Sequence, residues 1–152
     1  MKHRIHAAAA MLTLLFLAAF WISTVVSELF LTASAVAQVK LAIAYALLGF
    51  VPVMMLTAAS GFMMGGKGRH PLLLAKRRRM PFIAANGLLI LVPAALFLAL
   101  RAQAGQLDGV FYGVQALELA AGAANLTLIG LNIRDGIRLG RLRRRPQALS
   151  RA

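Results

Sequence analysis

The chain contains no cysteine, which excludes disulfide scaffolds and any zinc or iron–sulfur centre built on thiolates. Acidic residues are almost as scarce, with four Asp and Glu against 17 Lys and Arg in 152 residues. Only 14% of positions are charged, where a soluble domain averages about a quarter. The inventory for soluble-enzyme chemistry is missing: there is no paired Asp/Glu motif, no glycine-rich loop after a strand, and no histidine beside an acid at metal-ligand spacing. Gly65-Gly66-Lys67-Gly68 lacks the spacing and the following Ser or Thr of a phosphate loop, and reads as a flexible helix exit.

What the sequence has instead is apolar mass. Hydrophobic residues make up 61% of the chain, and the mean hydropathy is +0.78 despite a net charge of +13, so basic and apolar residues are segregated along it. Four apolar runs, residues 7–30, 41–64, 82–100 and 110–131, are 19 to 24 residues long. As helices they extend about 28 to 36 Å, enough for a hydrocarbon core of about 30 Å. The fold expected is a single all-α domain over residues 1–152, an integral membrane four-helix bundle. Its connections would be short loops around Val36 and Gln106, a basic loop over 65–81 and a basic tail over 132–152.

Fifteen of the basic residues fall before the first run, between the second and third, or after the fourth; Lys40 and Arg101 alone lie on the other side. The positive-inside bias therefore places both termini in the cytoplasm, with the chain in the inner membrane. A basic start and the small residues Ala35-Val36-Ala37 imitate a signal peptide, but the first apolar run exceeds a signal core of about 7 to 15 residues and reads as a retained helix. The arginine-rich tail lies beside a span, has no interleaved aromatics, and is expected to meet anionic lipid head groups rather than nucleic acid.

Polar groups inside the runs single out candidate sites, because lipid-facing helices need none. Gln115, Glu118, Gly122, Asn125 and Asn132 lie on one face of the fourth run. This stripe is expected to look inward, either as hydrogen-bonding glue between helices, with Gly122 admitting a neighbouring backbone, or as a proton site. As glue, Glu118 is expected to tolerate Gln and to suffer from Leu. On the first run Thr13, Phe20, Thr24 and Ser27 share a side, with Trp21 and Glu28 adjacent; on the second, Tyr45, Gly49, Pro52, Leu56, Ser60 and Met63 trace the face taken as the contact face. Glu28 and Lys40 stand at similar depth across a ten-residue loop and are expected to form an interfacial ion pair, or alternatively an outer entrance for a cation. Pro52 and Pro93 each remove a helical hydrogen bond and should bend their helices.

The expected function is a non-enzymatic accessory or self-associating membrane component without a cofactor, with a membrane subunit or a second copy as partner. Two alternatives remain: a small proton-coupled transporter using Glu118, and an electron carrier holding haem b. Haem would have to use His6 and His70 in the basic flanks, since no histidine lies within a run.

Overall fold

The computed structural model describes residues 2–64 and 71–149, with side chains over 5–61, 63 and 71–142. All its regular structure is helical: α1 (Lys2–Phe30), α2 (Ala33–Met64), α3 (Pro71–Asn86), a π-helical turn (Gly87–Leu91), α4 (Val92–Gln103) and α5 (Gly109–Leu149). The third crossing is α3, the π turn and α4 in series. All four crossings are long and apolar enough to span a membrane.

The helices run further than the apolar runs, and local capping explains why. Thr32 caps α2, its Oγ1 accepting the Ala35 N–H at 3.4 Å, so the helix starts at Ala33 and only two residues separate it from α1. Eight of the ten residues expected as a loop there, 33–40, are thus helix, and Lys40 lies inside the second crossing. The segment expected as a loop over 65–81 is helical from Pro71, a residue suited to the first helical position because it has no N–H to leave unpaired. The expected tail continues α5 to Leu149 in spite of Gly136 and Gly140.

At the opposite connection, Gly105 takes φ +70°. The Gln106 N–H returns to Arg101 O at 2.9 Å and the Gly105 N–H to Ala102 O at 3.1 Å, closing α4 with a Schellman motif. Asp108 then caps α5, accepting the Phe111 N–H at 3.0 Å while pairing with Arg101. The Phe111 N–H, followed by Arg101, holds the Asp108 carboxyl below its ordinary value of 3.8. A depressed carboxyl contributes stability above its unfolded pKa and loses it as pH falls through the lower folded value. Acid melting curves are therefore expected to show a stability decrement below pH 3.8 that is smaller in Asp108→Asn, which keeps a capping oxygen; identical acid limbs would contradict this.

The crossings form a ring in chain order. α1 packs on α2, α2 on α4, α4 and α3 on α5, and α5 on α1, while backbones across the two diagonals do not approach among the described residues. Two apolar clusters fill the interior. One joins Leu17, Ile43, Leu47, Phe50, Met54, Leu91, Ala95 and Ile129; the other, towards the two short connections, joins Val36, Leu98, Ala102 and Phe111. Phe16, Phe20 and Phe50 meet one another edge-on or tilted, with centroids 5.6 to 6.1 Å apart. Ala95, Ala99 and Ala102, all buried, form a small-residue stripe that lets α4 lie close to its neighbours.

The inward face of α2 is the reverse of the one expected. Val36, Lys40, Ile43, Leu47, Phe50 and Met54 are buried, whereas Tyr45, Leu56 and Met63 are exposed. Lipid and core are equally apolar, so hydropathy does not separate the two faces; of the residues used as markers, Tyr45, Gly49, Pro52, Leu56 and Met63 lie on the outer one and only Ser60 is half-buried. On α1 the expected face is the inner one, with Thr13, Thr24 and Ser27 buried.

Pro93 acts through the π turn. A proline there removes the N–H owed to the carbonyl four residues back, and the helix widens so that the Val92 N–H reaches Gly87 O, five residues back. Pro52, by contrast, is accommodated within the uninterrupted α2.

Candidate functional site

Three polar layers cross the bundle, and the fourth-crossing stripe is divided among them. The first lies between the two apolar clusters. Lys40, eighth in α2, and Glu118, tenth in α5, sit roughly 10 and 13 Å along their helices from the end with the short connections. Lys40 Nζ is fully buried and donates to Glu118 Oε2 at 2.8 Å, and also to Thr24 Oγ1 at 3.4 Å. The pair joins α2 and α5, whose backbones are diagonal partners. The long lysine stem makes this reach possible, since it runs through apolar surroundings and delivers its charge at the far side.

Gln115 Nε2 donates to the same Glu118 oxygen at 3.1 Å. Two acceptors in this layer, Gln115 Oε1 and Glu28 Oε1, are buried without a hydrogen-bond donor among the described residues. Glu28 lies within electrostatic reach of both Lys40 and Glu118. The ion pair expected between Glu28 and Lys40 is therefore replaced by one between Lys40 and Glu118. With Lys40 inside α2 rather than in a loop, its ammonium needs a buried counter-charge, and Glu118 supplies it. Glu118 thus bonds the Gln115 amide of its own stripe and, beyond what the stripe indicated, a lysine ammonium.

On the side of this layer away from the short connections lies a cavity of about 40 Å³, bounded by Glu118 and by apolar side chains including Leu17, Phe20, Trp21 and Leu47. It has room for about one water molecule. Trp21 Nε1 donates to Leu119 O at 3.0 Å, and its ring edge fills the space over Gly122, where a Cβ would meet Trp21 Cδ1 at 3.0 Å. Gly122 thus admits an indole, where a neighbouring backbone had been expected.

The second layer is neutral. Asn86 Nδ2 donates to Asn125 Oδ1 and to Ala121 O, both at 2.9 Å, and Asn125 Nδ2 donates to Ile83 O at 3.3 Å. These bonds fasten α3 to α5 beside the π turn. Asn125 was legible as an inward residue; its partner Asn86, equally visible as a lone amide in an apolar run, had been passed over.

The third layer lies at the basic end. Asp135, almost wholly buried, accepts from Arg79 at 2.7 Å and from Arg134 at 3.2 Å, and Arg79 also reaches Asn132 Oδ1 at 3.5 Å. Asp135 is the one acid in the basic sequence 132–152, and that exception is the sequence sign of its pairing. Close by, Ser60 donates to Leu56 O at 2.6 Å, so the 2.9 Å contact between Ser60 Oγ and His6 Nδ1 is satisfied with His6 donating. Nε2 then accepts from Lys76 at 3.3 Å. Both ring nitrogens of His6, one of the two histidines considered for haem, are thereby engaged. His70 lies outside the described residues, and among those described no three His, Asp or Glu converge to hold a metal ion.

Comparison with models of known protein families, with curated proteins and with solved structures gives no match.

Proposed function

We propose that this chain is a small non-enzymatic component of the inner membrane, a pre-set four-helix scaffold on which a second copy or another membrane subunit assembles. The observation that carries this reading is the Lys40–Glu118 pair, a fully buried charge bonded at 2.8 Å across a diagonal of the bundle. A central charge costs about 2.5–3.5 kcal/mol to insert, and pairing offsets that cost while fixing which helices lie opposite. The adjoining cavity of about 40 Å³ is too small for an organic substrate, which favours scaffold over carrier. Native mass spectrometry from mild detergent is expected to show complexes that persist in Lys40→Met/Glu118→Met. Proton-coupled flux in proteoliposomes that this folded double variant has lost would replace the scaffold by a carrier.

Orientation belongs to the same proposal. With Lys40 withdrawn into the core, Arg101 is, among the described residues, the one basic residue left near the short connections, and it is paired with Asp108. The positive-inside bias then directs both termini and the 65–81 segment to the cytoplasm. Arg77, Arg78, Arg138 and Arg141, exposed at the basic end, would meet anionic head groups at about 1 kcal/mol each. Single cysteines at Thr32 and Gln106 are expected to react with an impermeant reagent in intact cells, and one at Arg78 only after permeabilisation. The reverse pattern would invert the topology.

A further inference from the structure

We infer that the layer containing Lys40 is also a reversible proton-binding site, with Glu28 as the group that holds the proton. Lys40 faces two carboxylates, Glu28 and Glu118, so the fully ionised layer carries one negative charge in excess. Lys40 and Glu118 satisfy each other at 2.8 Å; Glu28 Oε1 is buried with no donor. Gln115, 4% exposed, supplies the independent sign of a missing group: its Oε1 is likewise buried and without a donor.

Both orphans are acceptors, and a buried unsatisfied acceptor is destabilising. One added proton answers the excess charge and converts Glu28 from acceptor to donor. The charged groups acting on Glu28 are Lys40 of α2 and Glu118 of α5; on the third crossing Arg101 gives one guanidinium nitrogen to Asp108, while its Nε is buried without an acceptor among the described residues. Glu28 is half-buried and lies near the end of α1, so exchange would run to the water beyond the short connections, while the Lys40 ammonium is fully buried between the apolar clusters. The inference rests on the geometry of the ion pair and is independent of whether the protein is a scaffold.

The full chain in detergent tests it. Infrared difference spectra between acid and alkaline buffer are expected to show a protonated carboxyl band that Glu28→Gln removes, and the melting temperature of the wild type should fall as pH rises through the loss of that band. In Glu28→Gln, which carries the neutral form permanently, this slope should vanish. Should that variant not fold, Gln115→Leu keeps every carboxylate while removing the orphaned Oε1 and the Nε2 bond to Glu118, and is expected to move the band's midpoint by about one pH unit, a tenfold change in the proton affinity of the layer. A band and a melting slope unchanged in either variant would overturn the assignment. So would stabilisation that follows Na⁺ replacing choline at fixed pH, because the excess charge would then be met by a metal ion. Instability of Lys40→Met/Glu118→Met would bear on the scaffold reading alone.

Discussion

Lys40→Met and Glu118→Met are each expected to destabilise the bundle by about 3–5 kcal/mol, the cost of leaving one member of a buried ion pair without its partner. The double variant Lys40→Met/Glu118→Met is expected to return to within about 1.5 kcal/mol of the wild type, since apolar side chains of similar volume often replace a buried pair without loss. Reversible unfolding of the detergent-solubilised protein, followed by circular dichroism, completes the cycle. Two additive losses would show that the two side chains do not interact. The same geometry changes the expectation for Glu118→Gln. An amide retains the hydrogen bonding of a glue residue, but it leaves the Lys40 ammonium without its bonded carboxylate. Glu28 remains within electrostatic reach and should limit the loss, so Glu28→Gln/Glu118→Gln is expected to be markedly less stable than Glu118→Gln alone.

Gly122→Leu is expected to cost about 1–3 kcal/mol by overpacking, because the first atom added, Cβ, already stands 3.0 Å from Trp21 Cδ1. The indole must move, and with it the hydrogen bond from Nε1 to Leu119 O that ties α1 to α5. Trp21 is the single tryptophan of the chain, so its emission reports the event directly: a shift in Gly122→Leu, and a smaller one in Gly122→Ala, where the ring need give only a few tenths of an ångström. Wild-type emission and stability in Gly122→Leu would mean that the ring does not lie over residue 122.

The two predictions probe the two ways in which this bundle specifies its arrangement. Between apolar helices in lipid the hydrophobic effect gives little preference for one contact face over another, so close packing and polar contacts decide. Lys40–Glu118 fixes one diagonal. Trp21 over Gly122, Asn86 with Asn125 and Arg79 with Asp135 fix neighbours, and all of them except the last lie well inside the apolar length. This explains why the structural consequence of each polar residue depends on its partner more than on its own depth.

The four crossings, their helical state and their membrane-spanning length were determined by the sequence alone, because a run of about 20 apolar residues in lipid must satisfy its backbone internally and a helix does so. The inward stripe of Gln115, Asn125 and Asn132 was equally legible, since polar side chains at helical spacing share a face. What only the tertiary structure decided was pairing. Hydropathy marks where a run becomes apolar, not where a helix begins, and so the Thr32 cap carried Lys40 from an expected loop into the core. Once there, its long stem could reach an acid 78 positions away on the helix diagonally opposite. No periodicity within either helix encodes that meeting; it follows from the order of the crossings around the ring and from the cost of leaving a charge unpaired in a medium that cannot solvate it.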